Sequence, residues 1–259
     1  MNKLVAYISF AILSIFLMSI LLRVFVCDRF IIRGDSMYPE YFDGEKIWVN
    51  KLLAGPRIYT KFDFESPELH SVRLPGFRDI KAGDVVVFNS PYGRGRRVIE
   101  FKINYVYVKR CLGAPGDIIS IENSYYKNMN HNEPFGSLSS QNELIRTPDS
   151  LITYKTDIYP FSKKIGWTMR EMGPLYVPKE GTTVTMDQNN TIIYDKVIEY
   201  ETGHKPIWEN ECIHNGHHIS EYTFKGNYYY LVGDNVLNSK DSRYFGFVPE
   251  EYIIGIGVN

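Results

Sequence analysis

The stretch Gly34-Asp35-Ser36-Met37-Tyr38-Pro39 sets a small hydroxyl between two backbone punctuators. Glycine permits tight backbone geometry, and proline ends any helix or central strand. A serine in such a turn ordinarily bonds its own backbone. It becomes a nucleophile only when a base takes its proton. The six histidines offer no obvious base, because His70 falls in a loop and the others in the polar region 121–220. Lysine is the other candidate. Tyr105-Val106-Tyr107-Val108-Lys109-Arg110 alternates. As a strand it sets Tyr105, Tyr107 and Lys109 on one face and Val106, Val108 and Arg110 on the other. An edge lysine commonly blunts aggregation or snorkels to water. A lysine in line with two tyrosines is instead placed for partial desolvation. At the reference pKa of about 10.4, roughly one lysine in 2,500 is neutral at pH 7. A fall to about 8 makes roughly a tenth neutral, at a cost of about 3 kcal/mol.

The elements that would position these groups are partly legible. Leu4 to Leu22 is uncharged, almost wholly apolar and long enough to span a bilayer as a helix. The bulky Arg23-Val24-Phe25-Val26 that follows does not suit a signal-peptide cleavage site. Arg23, Arg29 and Arg33 after the span, offset by Asp28 and Asp35, lean weakly towards a cytoplasmic domain. The rest is aromatic-rich, with 20 tyrosines and 15 phenylalanines, which favours strands. A net charge of −1 gives no bias towards nucleic acid. Cys27, Cys111 and Cys212 are too few and scattered for a disulfide framework or a zinc knuckle.

Strands are expected at 46–50, 85–88, 105–110, 151–159, 184–186, 228–232 and 253–258. Residues 54–79 and 123–141 read as loop, and Asp187 as the N-cap of a helix that Gly203 stops. The basic run Pro91-Tyr92-Gly93-Arg94-Gly95-Arg96-Arg97 reads as a solvated hairpin tip or a lipid-headgroup contact. His214, His217 and His218 cluster without completing a metal-ligand spacing, and no metal or other cofactor is expected.

Three stretches in order behind the apolar segment resemble the bacterial type I signal peptidases, membrane-bound Ser-Lys endopeptidases. Gly34 to Pro39 is similar to the family's nucleophile box. Tyr107 to Arg110 with Gly113-Ala114-Pro115-Gly116-Asp117 is similar to its general-base box. Gly233-Asp234-Asn235 with Ser239-Lys240-Asp241-Ser242-Arg243-Tyr244-Phe245-Gly246 is similar to its third box. The match covers roughly residues 1–120 and 226–259.

The resemblance implies that Ser36 attacks the scissile carbonyl and that Lys109 is the general base. It implies that Ser239 hydrogen-bonds the lysine amine and that Tyr107 lines the pocket beside it. Met37 helps bury the site, and Arg110, Asp241 and Arg243 form an ion-pair network. Gly34 stands where some members carry a second serine that donates to the oxyanion, leaving the Ser36 backbone N–H as one donor and the second unassigned.

The fold implied is mainly β: a transmembrane helix (1–26), an antiparallel β-rich catalytic core in two parts (27–120 and 221–259), and a mixed α+β insertion (121–220) between them. The partners implied are the bilayer and preproteins with small residues before the cut, docked as an added strand. The implied location is the inner (plasma) membrane, single-pass, with the catalytic domain extracytoplasmic, against the charge count. Two rival readings are another Ser-Lys maturation peptidase and a non-catalytic anchored β module that binds exported chains. A binding module has no need of Ser36, Lys109 and Ser239 together.

Overall fold

The computed structural model describes residues 2–61, 63, 66–91, 98–132, 134–152 and 156–258. Helix α1 runs Asn2–Leu21 and continues as a π-helical turn, Leu22–Val26. The window Lys3–Val26 is long and apolar enough to cross a membrane, and none of it is buried against the rest of the chain. With nothing of its own to bury against, so apolar a helix is stable only in an apolar surrounding.

The chain leaves the helix directly into strand β1 (Cys27–Ile31), which pairs with β2 (Lys46–Asn50). The other strands of this sheet are β3 (Val85–Asn89), β4 (Val106–Gly113), β8 (Tyr228–Val232), β9 (Val248–Pro249) and β10 (Ile253–Val258). Their order is β1-β2-β10-β3-β4-β8-β9, antiparallel throughout. The C-terminal strand therefore lies in the middle, and the two halves of the mainly β core are one sheet. A second sheet joins β5 (Ile118–Glu122), β6 (Tyr125–Asn128) and β7 (Met172–Tyr176) in the order β6-β5-β7.

The apolar run Val85–Phe88 is continuous because β3 is buried on both faces. Val85 and Val87 join Ile32, Met37, Tyr41, Ile47 and Val49 in a small core under the Ser36 turn. Val86 and Phe88 face the large core, which also takes Ile119, Tyr126 and Met172 from the second sheet. Period-two alternation assigns each residue to its core.

Several expectations are corrected. Residues 54–79 are not all loop, because Arg57–Tyr59 pairs with Ser71–Arg73 as a hairpin. Residues 123–141 carry β6 and the start of helix α2 (Leu138–Arg146), with Tyr126, Asn128 and Gln141 buried. Part of their polarity serves internal hydrogen bonds, such as Tyr126 N–H to Gln141 Oε1 at 2.9 Å, while Asn123, Lys127, Asn130, His131 and Asn132 are exposed. The expected strand 151–159 is absent among the described residues. A 3-10 turn occupies Asp149–Leu151, and only Asp157 makes an isolated bridge, to Thr168.

Asp187 caps the next helix through Asn190 N–H at 2.8 Å. One expected helix is two, α3 (Gln188–Ile193) and α4 (Asp195–Thr202), interrupted at Tyr194; Gly203 ends α4 in the left-handed region at φ 76°. Val184 lies in a short strand, Thr183–Thr185. Of the basic run 91–97, all but Pro91 lies outside the described residues.

Candidate functional site

Ser36 stands in a turn between β1 and β2. Gly34 enters it at φ +77°, a backbone conformation costly for residues with a side chain, and its N–H donates to Asp43 Oδ1 at 2.7 Å. Met37, 1% exposed, anchors the turn into the small core. The far side of the turn is held by a segment 200 residues away. The Asn235 backbone N–H donates to the Ser36 carbonyl at 3.1 Å, and Asn235 Nδ2 to the Asp35 carbonyl at 3.2 Å. Asn238 Nδ2 adds bonds to both Asp35 carboxylate oxygens at 2.8 and 3.0 Å. The Ser36 turn is thus held by backbone and side-chain bonds from residues 235–238. Its own N–H has no hydrogen-bond acceptor among the described residues, so it remains a candidate oxyanion donor.

Lys109 sits in β4, paired in register with Val86 of β3. It is 4% exposed, and its Nζ donates to Ser36 Oγ at 2.6 Å and to the Val108 carbonyl at 2.9 Å. Burial pushes the amine down to about 8 from the ordinary 10.5; Asp241 and Asp234 oppose the fall and Arg243 assists it. Tyr107 lies beside it, with the ammonium 5.5 Å from the ring centroid. The expected third partner on that face is corrected: Tyr105 precedes the strand and is exposed. The amine is desolvated by elements distant in sequence.

Two further expectations differ. Among the described residues the Ser239 hydroxyl makes no bond to Lys109; its Oγ is buried beside the Asp241 carboxylate and helps keep that acid charged. The expected three-member ion network is two separate pairs. Asp241 and Arg243 form a bidentate bridge at 2.9 and 2.8 Å with both side chains fully buried. Arg110 instead grips Asp234 at 2.8 and 2.7 Å, with Glu40 at 3.7 Å. Alternation explains the split, since Arg110 and Lys109 are neighbours on opposite faces of β4. Burial would raise the Asp241 carboxyl, but Arg243 and the Gly233 N–H hold it below its ordinary value.

Asp35, Asp234, Asn235 and Asn238 are site residues that sequence reasoning did not single out for a role. The Gly-Asp-Asn turn signal was visible, but its partner Asp35 is not deducible from local pattern. Gly233 is required by packing. A Cβ there would lie 2.5 Å from the Ser36 carbonyl oxygen and collide with Ser239. Gly233→Ala should therefore displace the Ser36 turn. The expected result is a loss of about 100-fold in kcat with the sheet intact by circular dichroism; a near-normal kcat would show that the turn is not held there.

The region 121–220 buttresses the same site. Ser140 Oγ accepts from Val236 N–H at 2.8 Å, and Tyr159 N–H donates to the Arg243 carbonyl at 2.7 Å. Among the described residues no cluster of three or more His, Cys, Asp or Glu could hold a metal. His218 pairs with Glu211 at 2.9 Å, and His214 Nε2 lies 2.9 Å from the Thr202 hydroxyl.

A cleft of about 300 Å³ opens over Ser36 and Lys109 between Phe30–Met37 and Val106–Lys109, with Asn238 and Lys240 on its rim. A buried amine with its pKa pushed down to about 8, bonded to a hydroxyl at the floor of the cleft, can run acyl transfer.

Known proteins are similar to this chain over most of its length. Signal peptidase I of Buchnera aphidicola subsp. Schizaphis graminum is 27% identical over 93% of this chain and 69% of its own length. That of Bacillus amyloliquefaciens is 24% identical over 92% and 75%. That of Pseudomonas aeruginosa is 26% identical over 91% and 65%. A solved signal peptidase I from Enterococcus faecalis V583 covers 69% of this chain and 96% of its own, at 13% identity and a TM-score of 0.33, a likeness too loose to bear on the fold. The family model described as "Signal peptidase, peptidase S26" matches residues 4–158 and 171–258, nearly the whole length, and the chain therefore belongs to the signal peptidase family, peptidase S26.

Proposed function

We propose that this signal peptidase cleaves with a Ser-Lys pair: Ser36 as nucleophile and Lys109 as general base. The observation that carries the reading is the 2.6 Å bond between a 4%-exposed amine and the Ser36 hydroxyl. Neutral Lys109 takes the hydroxyl proton as Ser36 Oγ attacks the scissile carbonyl. The resulting ammonium returns that proton to the leaving amine, and a water then repeats the cycle to free the acyl-enzyme. The Ser36 N–H donates to the oxyanion.

Tyr107 and Met37 keep water from the amine, and Gly34 shapes the turn. Arg110, Asp241 and Arg243 hold the framework, and Ser239 is a positioning residue beside the Asp241 carboxylate. The substrate is the end of a signal peptide, docked as an added strand along the cleft, with small residues before the cut facing its apolar floor. In this reading the chain crosses the inner (plasma) membrane once through Lys3–Val26 and its catalytic domain faces the extracytoplasmic side. Residues 121–220 are an insertion that braces the third box.

The test is cleavage of a preprotein with an Ala-x-Ala site by the wild type and by Ser36→Ala between pH 6 and 10. Lys109 must be neutral to act, so kcat/KM should rise about tenfold per pH unit up to about 8 and level above it. A profile flat from pH 6 to 8 would exclude an amine base. Preprotein bound but left uncut by both proteins would favour the anchored binding module.

A further inference from the structure

A second cavity, of about 190 Å³, shares Phe30 and Val106 with the cleft. Phe30, Ile103 and Ile254 form its apolar wall, and Lys51, Arg57 and Asn89 its polar one. Arg57 is 7% exposed, yet its guanidinium meets only neutral acceptors: the Glu251 carbonyl at 2.9 Å, Asn89 Oδ1 at 2.6 Å and the Tyr59 hydroxyl. Among the described residues no carboxylate lies within ion-pair distance of it. Arginine is seldom buried without an anion, because desolvating its charge costs more than neutral hydrogen bonds return.

Lys51, on the same wall, donates to the Arg23 carbonyl at 2.6 Å and sits 3.6 Å from Asp28. Asp28 is shared with the Arg23 side chain at 3.2 Å and the Arg29 N–H at 2.9 Å, so one acid serves three donors. The cavity thus carries surplus positive charge on one wall and hydrocarbon on the other.

Its depth relative to a bilayer is set by the chain. Arg23 lies in the last turns of the apolar span Lys3–Val26, so Lys51 and the cavity mouth stand at the level where that span ends. The charge calls for an anion, the apolar wall for an amphipathic one, and the depth for a molecule of the membrane surface. We propose that this cavity binds an anionic phospholipid, its phosphate between Lys51 and Arg57 and its glycerol and first acyl carbons against Phe30, Ile103 and Ile254. Phe30 also lines the catalytic cleft, so the bound lipid stands one side chain from the substrate strand. A water-soluble phosphate would satisfy the cations and leave the apolar wall bare.

The experiment uses the full chain in neutral detergent, with native mass spectrometry against phosphatidylglycerol, phosphatidylcholine and glycerol 3-phosphate. Arg57 also holds the Glu251 carbonyl, so its replacement risks the fold. Lys51→Gln removes one cation, and Ile103→Trp fills the cavity while leaving every charge in place. The expected result is one phosphatidylglycerol retained by the wild type in preference to phosphatidylcholine. Lys51→Gln should weaken that retention about fivefold, and Ile103→Trp should abolish it at an unchanged melting temperature. Retention unaltered in both variants would overturn the site. Glycerol 3-phosphate displacing the lipid at equal concentration would overturn the lipid and leave a free-anion pocket.

Discussion

Lys109→Met should lower kcat/KM for a preprotein by at least about 10³-fold and at the same time stabilise the protein at neutral pH. The two effects share one cause. In the unfolded chain the amine has its ordinary pKa, and in the fold burial brings it down to about 8 from 10.5. The unfolded state therefore binds more protons between those values, and stability rises with pH across that window. Below pH 8 the fold bears the full cost, about 3 kcal/mol for such a shift. Methionine removes that cost and keeps the volume, but forfeits the bonds to Ser36 Oγ and the Val108 carbonyl, each worth about 1 kcal/mol. The variant should melt higher than the parent at pH 7, and the gap should narrow from pH 8 to 10.5. Ser36→Ala should lose as much activity with little change in melting, and the double variant should be no slower than either single one, because the pair acts as a unit. A Lys109→Met enzyme with a near-normal rate would remove lysine as the base. One that melts lower at pH 7 and gains nothing against the parent there would show that the amine is not buried at a cost.

The second large effect belongs to the Asp241–Arg243 pair. Arg243→Met leaves a buried carboxylate without its partner, which costs about 3–5 kcal/mol. Against a total of about 5–15 kcal/mol this is a substantial fraction of the fold's stability. The sign with pH follows from Asp241. In the parent its carboxyl is held low, so the pair's stability is present above the unfolded pKa, near 4, and is lost as pH falls through the folded value. In the variant the carboxyl titrates higher, so the penalty should shrink on acidification. Asp241→Asn in the same chain should recover part of the loss at pH 7.

There is a catalytic consequence as well. Asp241 raises the Lys109 pKa and Arg243 lowers it, so the two charges of the intact pair oppose each other at the amine. Removing Arg243 alone should therefore move the rise of the cleavage profile to higher pH. Thermal melts in detergent and the pH profile of the surviving activity check both. Equal melting of Arg243→Met and the parent, or an unmoved profile, would contradict the pair's role.

These predictions divide between what local pattern conveys and what it does not. The apolar span 4–22, the alternation of β4, the turn at Gly34–Pro39 and the Asp187 cap are local, set by side-chain period, backbone permissiveness and capping chemistry within a few residues. All are readable from one chain, as was a mainly β fold with strands at 46–50, 85–88, 228–232 and 253–258. The candidate pair Ser36 and Lys109 was legible too, because the nucleophile needs a base and the histidines fell in the wrong places.

Tertiary structure alone decided the rest. In the polar region 123–141, Asn128 and Gln141 serve buried hydrogen bonds while Asn123, Asn130 and Asn132 are exposed, and sequence does not distinguish an asparagine in water from one facing a carbonyl. Arg110 found Asp234 rather than Asp241 because strand alternation turns it from the face of Lys109, and which acid waits on each face depends on a segment more than 120 residues away. The desolvation of Lys109 was expected from two tyrosines on its own strand. It comes instead from the packing of β3 and the 233–243 segment around it, with only Tyr107 contributing locally. Burial is a property of the assembled sheet, in which the C-terminal strand enters the middle. A one-dimensional pattern can nominate the residues, but their pKa values, partners and distances depend on which distant elements exclude water from them.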